Sequence, residues 1–375
     1  MSSEPIRILH VIGSMNRGGA EAMIMNLYRQ IDRTRVQFDF VENTLQPAAF
    51  DDEIRELGGR IFNCPHYNGK NHLIYKRWWK HFFSEHRGEF SAVHGHLGST
   101  AAIYLPIAKS HGVYTIAHSH NTRGQGFGDW LYHMYALPTR HIADYFFACS
   151  KDAGSDRYGE KVASDSTHFR VLNNAIDVRR FAFDPKVRSE TRSALGVSET
   201  DVLIGHVGRF VEQKNHVFLT DIFAAICRKN PNAKLLLIGK EDPEKKIRAK
   251  VKASGLSDRV IIAGVQENVS PYYQAMDLFL MPSLYEGLGV VLVEAQCSGL
   301  PCLISDKIPL ECSLTDDLIA VCYLSDGAEV WAERSLSHMN RDRRDRSDEI
   351  AANGYDVRQT AEWLADFYCE KAKQA

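Results

Sequence analysis

Apolar positions along the chain follow two alternating rhythms. Continuous runs of strand length, such as Ile6 to Ile12, Val36 to Val41, Arg60 to Cys64, Ser91 to His94, Val113 to His118 and Tyr145 to Cys149, read as buried strands. Between them lie stretches with helical spacing: Ala22 to Leu27, Asp51 to Leu57, Thr100 to Lys109 and Asp129 to Ile142. Strands alternating with helices in this way predict a parallel sheet wrapped by helices. A second alternation starts at Val202 to Val207 and continues through a helix at Val217 to Cys227. Strands are then expected at Lys234 to Gly239, Val260 to Val265, Leu278 to Met281, Pro301 to Ser305 and Leu318 to Tyr323. Phe183 to Val197, carrying Pro185 and Gly196, reads as the linker between the two halves. Ser335 to Asp348 is charge-rich and reads as a solvated connection. No repeat of solenoid period and no low-complexity segment appears.

Length agrees with two domains, because 375 residues exceed what one compact core usually takes. The formal charge of -2 argues against a nucleic-acid partner, since such domains are usually strongly basic. Eight cysteines without a C-x-x-C suggest reduced thiols and a cytoplasmic setting. No signal peptide and no membrane-spanning run is read. One stretch departs from the ordinary amphipathic pattern: in Lys70 to Arg87, Ile74, Trp78 and Phe82 form an apolar stripe with Leu73, Tyr75, Trp79 and Phe83 beside it, while Lys76, Arg77, Lys80 and Arg87 are basic. Such a helix either packs its stripe on the sheet or lies at an anionic membrane surface, a peripheral contact with the inner face of the plasma membrane.

The chemistry concentrates in Leu278 to Leu303. An apolar strand stops at Pro282 and Ser283, and a helix starting near Val290 closes at Gly299 and Pro301. The first turn of a helix has unpaired N–H groups and the positive end of its dipole, so Gly287, Leu288, Gly289 and Val290 form a candidate phosphate seat. Glu286 and Glu294 frame that turn, up to ~12 Å apart along the axis. That exceeds the roughly 5 to 9.5 Å of a glycosidase pair, but suits two ends of a nucleotide-sugar whose diphosphate lies between them. Arg209 and Lys214, five apart across another strand-to-helix turn, can converge on the same anion.

After the first strand, Gly13 to Gly18 has Walker A spacing, yet Gly19 and Ala20 stand where that loop needs Lys and Ser or Thr. The dinucleotide G-x-G-x-x-G is absent as well, although Glu42 could play its ribose acid. The pairs His94/His96 and His118/His120 each put two imidazoles on one strand face, which allows a metal site and a metal-dependent hydrolase as a rival function. No third acidic ligand stands at a characteristic spacing, and the expectation is no metal.

P-S-x-x-E-G, the E-x7-E of Glu286 and Glu294, and E-A-x-x-x-G-x-P together resemble the signature of glycosyltransferase family 4, and within it enzymes of bacterial exopolysaccharide synthesis. The resemblance implies a GT-B fold: α/β, two Rossmann-like domains (1-180 and 198-354) facing each other across a cleft, with the final helix (355-375) crossing back to the first. It implies a retaining hexosyltransferase; no D-x-D stands in the chain to hold a divalent metal, so no metal or cofactor is expected. The donor is a nucleotide-sugar, expected to be a UDP-sugar, and the acceptor a glycan or a polyprenyl-diphosphate-linked saccharide. Carried onto this chain, Glu286 meets the donor sugar near its reacting carbon and Glu294 the ribose. Arg209 and Lys214 take the diphosphate, as in the family's G-R-x-x-x-x-K. Gly18 and Gly19 of G-G-A-E meet the diphosphate through a backbone N–H, and Val265 the base. His118, with His120 as second choice, reaches the donor sugar. Asn173 to Phe181 resembles the family's junction motif, with Ala175 in place of Gly. A nucleotide-sugar epimerase or a phosphorylase of the same fold is the alternative activity.

Overall fold

The computed structural model describes residues 4–120, 136–241, 245–287, 289–339 and 343–373. Leu288, the first half of the segment expected to be helical from Asp129 to Ile142, and part of the loop after Gly239 lie outside the described residues. The chain divides into two units, the first formed by Met1–Ala175 with Val357–Ala375 and the second by Ile176–Asp356.

Unit 1 is a seven-stranded sheet of β1 (Ile6–Ile12), β2 (Val36–Glu42), β3 (Ile61–Asn63), β4 (Phe90–Gly95), β5 (Tyr114–Ser119), β6 (Tyr145–Ala148) and β7 (Phe169–Val171). All its pairings are parallel, in the order β3-β2-β1-β4-β5-β6-β7. The order reverses direction between β1 and β4. Near-continuous burial along β1 and β2 follows from helices covering both faces. Helices α1 (Gly19–Gln30), α2 (Asp51–Glu56), α3 (His72–Glu85) and α4 (Gly98–Ser110) supply much of that cover. The C-terminal helix Val357–Lys371 belongs to this unit too, with Leu364, Phe367 and Tyr368 packed beside Phe38 and Phe147.

Unit 2 has β8 (Val202–Val207), β9 (Ala233–Ile238), β10 (Val260–Gly264), β11 (Leu278–Met281), β12 (Cys302–Ser305) and β13 (Ile319–Cys322), all parallel, in the order β10-β9-β8-β11-β12-β13. Its reversal falls between β8 and β11. In such sheets ligands bind beyond the carboxyl ends of the strands at the point of reversal, so each unit has one predicted crevice.

Three sequence expectations need correction. The presumed linker contains a helix, Pro185–Ala194, whose Arg192 is buried and reaches Asp277 Oδ2 at 3.1 Å and Ala275 O at 2.9 Å. It docks by guanidinium hydrogen bonds, so it has no apolar stripe to read. The charge-rich Ser335 to Asp348 is likewise anchored. Arg343 donates to Met276 O at 2.6 Å and Ser298 O at 2.6 Å, satisfying carbonyls at two helix ends, and burial lowers its pKa to about 9. In α3 the buried face is rotated one residue from the expected stripe. Tyr75, Trp79, Phe82 and Phe83 are buried, and the Tyr75 hydroxyl donates to Thr100 Oγ1 at 3.2 Å. Leu73 and Ile74 are instead 74% and 60% exposed, with Lys76, Arg77 and Lys80 beside them.

Candidate active site

In unit 2 the loops after β8 and β11 are neighbours because their strands pair, Leu278 with Ile204 and Phe279 with Gly205. Polar bonds tie the two loops together. Leu284 N donates to Gln213 O at 2.8 Å, Gln213 Nε2 to Tyr285 O at 3.0 Å, and Asn215 Nδ2 to Pro282 O at 3.1 Å. Asn215 sits in the left-handed region at φ 53, which ends the short turn Glu212–Lys214 and starts the helix His216–Lys229. This turn aims Lys214 back at the β11 loop, where its Nζ meets Glu286 Oε1 at 2.7 Å. Both side chains are largely buried, 16% and 7% exposed. Lys214 and Glu286, assigned to different parts of a donor in the sequence, are therefore direct partners.

The helix Val290–Cys297 begins beside that pair. Gly289 precedes it at φ 62, a conformation that turns the chain into the helix and suits glycine. A side chain at Gly287 would meet nothing within 4 Å, so the space over the turn is open to a ligand. Arg209 is exposed at the end of β8, and its guanidinium has no hydrogen-bond or ion-pair partner among the described residues. An unpartnered guanidinium, an ammonium and a helix N-terminus at one strand-order reversal make a site for a multiply charged anion. The helix itself is held from behind by Gln296, which is fully buried and donates to Cys312 O at 2.7 Å while accepting from Leu314 N at 2.9 Å.

Glu294 lies on the same helix and accepts the Tyr273 hydroxyl at 2.8 Å. Burial pushes its pKa up to about 7, partly offset by the Tyr273 bond and by Arg180. A carboxylate that ionises near neutrality and keeps acceptor positions free fits paired hydroxyls. Val265 follows β10 and is 54% exposed. Gln213, Asn215, Tyr273 and Gln296 went unread in the sequence, because each acts on a loop or strand distant along the chain.

In unit 1, Gly18 and Gly19 open α1 as expected. A side chain at Gly18 would come within 2.2 Å of Glu21 Oε2, whereas Gly19 has nothing within 4 Å. Glu42 supports this loop by accepting Met15 N at 3.1 Å, and burial beside Asp51 raises its pKa to about 7. The two H-x-H pairs form one cluster, joined by a fifth histidine that the sequence did not single out. His10 pairs with His94 across β1 and β4, which brings its ring to them. His94 Nε2 lies 3.1 Å from His118 Nδ1, and His94 Nδ1 lies 2.6 Å from the Tyr368 hydroxyl. A second ladder joins His10 Nδ1 to His96 Nε2 at 3.0 Å and His96 Nδ1 to His120 Nε2 at 2.7 Å. Burial depresses all five, His10 to about 3 and His120 to about 4, so the rings are neutral at pH 7. The nitrogens of His10, His94 and His96, and of His96, His118 and His120, lie within 4.8 Å of one another. His118 Nε2 and His120 Nδ1 are buried without a partner among the described residues.

Two parallel α/β units, each with its polar cluster at a strand-order reversal, are the architecture of the GT-B glycosyltransferases. The fold of Anabaena HepE, solved in complex with UDP, matches over 96% of this chain and 99% of that one, with TM-score 0.76 and 17% identity. Residues 187–355 match the family model for glycosyl transferases group 1, and residues 17–180 that for Glycosyltransferase Family 4. The chain is 36% identical to EpsF of Bacillus subtilis (strain 168), which bears a glycosyltransferase name, over 98% of this chain and 97% of EpsF. Over 55% of each chain it is 22% identical to an Escherichia coli UDP-Gal:alpha-D-GlcNAc-diphosphoundecaprenol alpha-1,3-galactosyltransferase. The protein belongs to glycosyltransferase family 4.

Proposed function

We propose that the chain is a retaining hexosyltransferase of exopolysaccharide synthesis that moves a sugar from a UDP-sugar to a glycan or polyprenyl-diphosphate-linked acceptor. The observation that carries this reading is the union of Lys214, Glu286 and the Val290–Cys297 N-terminus at the β8/β11 reversal, with Arg209 unpartnered nearby. HepE, solved with UDP, supports the choice of nucleotide, and the E. coli relative's name supports the lipid-linked acceptor.

In this reading the bond from the sugar's anomeric carbon to the phosphate oxygen breaks while the acceptor oxygen bonds that carbon from the same face. The acceptor proton passes to the leaving phosphate. Negative charge grows on the diphosphate, and Arg209, Lys214 and the helix N–H groups meet it, which makes a divalent metal unnecessary. Glu286 steadies the sugar near its reacting carbon, and Glu294 binds the ribose hydroxyls. Gly18 and Gly19 offer a backbone N–H to the diphosphate, Val265 meets the base, and His118 meets the transferred sugar.

Membership in a transferase family favours this reading over a hydrolase built on the H-x-H pairs. An epimerase or phosphorylase of the same fold is separated from it by incubation with UDP- and GDP-sugars without acceptor. The transferase gives at most slow release of free sugar with retained configuration; a C2 or C4 epimer, or phosphate-dependent sugar phosphate, would refute it.

The exposed corner of α3, Leu73 and Ile74 among Lys70, Lys76, Arg77 and Lys80, fits shallow docking at an anionic lipid surface at the cytoplasmic face. No helix among the described residues is long and apolar enough to cross a membrane.

A further inference from the structure

Tyr368 sits on the C-terminal helix, fully buried, and among the described residues its hydroxyl meets a single group, His94 Nδ1 at 2.6 Å. That bond has two possible polarities. If His94 Nδ1–H donated, the buried Tyr368 O–H would have no acceptor, and a buried donor without a partner costs about 1–3 kcal/mol. If the hydroxyl donates, its hydrogen is satisfied and only oxygen lone pairs go unused.

The second polarity propagates. His94 is neutral, because burial holds its pKa well below the usual value, so with Nδ1 accepting its proton is on Nε2. That Nε2–H donates to His118 Nδ1 at 3.1 Å. His118 is neutral for the same reason, and its own proton must then sit on Nε2, the nitrogen that is buried and has no partner among the described residues. His118 is 3% exposed. The parallel ladder through His96 ends on orphan nitrogens at both His10 and His120 and has no hydroxyl to set its direction.

We propose that Tyr368 is a positioning residue that, acting through His94, holds His118 as the Nε2–H tautomer. His118 thereby offers the transferred sugar a neutral hydrogen-bond donor and has no free nitrogen with which to take the acceptor's proton. This rests on the assignment of His118 to the sugar, and it leaves the leaving phosphate as the proton's destination.

The test is a long-range 1H–15N correlation spectrum of the full-length protein labelled with 15N-histidine, at pH 7, with His118 assigned from His118→Gln. Wild type should show a protonated Nε2 and a bare Nδ1 at His118. In Tyr368→Phe the two tautomers should mix, and kcat/KM for the donor sugar should fall two- to tenfold as the competent fraction drops. UDP affinity, which does not involve the sugar, should stay unchanged. An Nδ1–H tautomer in wild type overturns the proposal. So does an unaltered His118 spectrum in Tyr368→Phe, or shifts in the wild-type histidine nitrogens on adding a chelator, which would mean that a metal holds them. The spectrum needs no turnover, so loss of the transferase reading and loss of the tautomer assignment are told apart.

Discussion

The Lys214–Glu286 contact gives the sharpest quantitative expectation. Replacing Lys214 by Met removes the ammonium and leaves a carboxylate whose side chain is 7% exposed and which, among the described residues, keeps only Gln213 Nε2 near it, at 3.5 Å. Breaking a fully buried pair from one side costs about 3–5 kcal/mol. This pair retains some contact with water, so about 2–3 kcal/mol is expected, or about 4–12 °C in the melting of the unit that holds it. Glu286→Gln strands only a partly exposed lysine and should cost less, about 1 kcal/mol. The double variant should regain part of the loss, with a coupling of about 1–2 kcal/mol in the cycle. UDP binding should separate the two residues. Isothermal titration should show affinity falling ten- to a hundredfold in Lys214→Met. In Glu286→Gln it should hold or improve, because the lysine is released from a competing anion, while sugar transfer collapses. Additive stabilities, or UDP affinity unchanged in Lys214→Met, would refute the reasoning.

Four further outcomes follow. Seven histidines, His10, His94, His96, His118, His120, His206 and His216, have depressed pKa values in the folded state, so the unfolded chain binds more protons below about pH 6.5. Glu42 and Glu294, raised to about 7, act in the opposite sense but are outnumbered; the melting temperature should climb from pH 5 to 6.5 and then level off, and a fall over that range would contradict the burial of the histidine ladders. Since Glu294 is protonated below about pH 7, titration should show nucleotide affinity weakening from pH 8 to 6 in wild type and far less in Glu294→Gln. Gly299→Ala, at φ 60 and with its new Cβ 1.9 Å from Arg344 O, should lose more than about 3 kcal/mol in urea unfolding. Leu73→Asp with Ile74→Asp should abolish co-sedimentation with anionic vesicles while leaving the melting temperature within about 2 °C, as both residues are exposed.

Much of this architecture was legible because buried parallel strands are written as unbroken apolar runs. Leu278–Met281 and Val202–Val207 were delimited by Pro282 and Gly208, and Gly299 marked the helix end. The helix Pro185–Ala194 was missed for the complementary reason: it docks through Arg188 and Arg192 on Asp277, an interaction with no hydropathy signature. The α3 stripe was misphased because Leu73, Ile74, Tyr75, Trp78 and Trp79 give two adjacent apolar faces, and only packing on Tyr104 and Thr100 selects between them. Within the site, residue types were readable but partnerships were not. Lys214 and Glu286 stand 72 positions apart, and His94 and Tyr368 stand 274 apart. Strand order decides the first meeting and the docking of the C-terminal helix the second, and the sequence states elements without their order or packing.

The central claim is that a nucleotide diphosphate docks where β8 and β11 diverge. A crystal structure of the protein soaked with UDP tests it most directly. The account predicts the diphosphate at the start of Val290–Cys297, within hydrogen-bond distance of Arg209 and Lys214, with the ribose hydroxyls on Glu294. Nucleotide bound elsewhere, or a diphosphate that touches neither basic side chain, would contradict it.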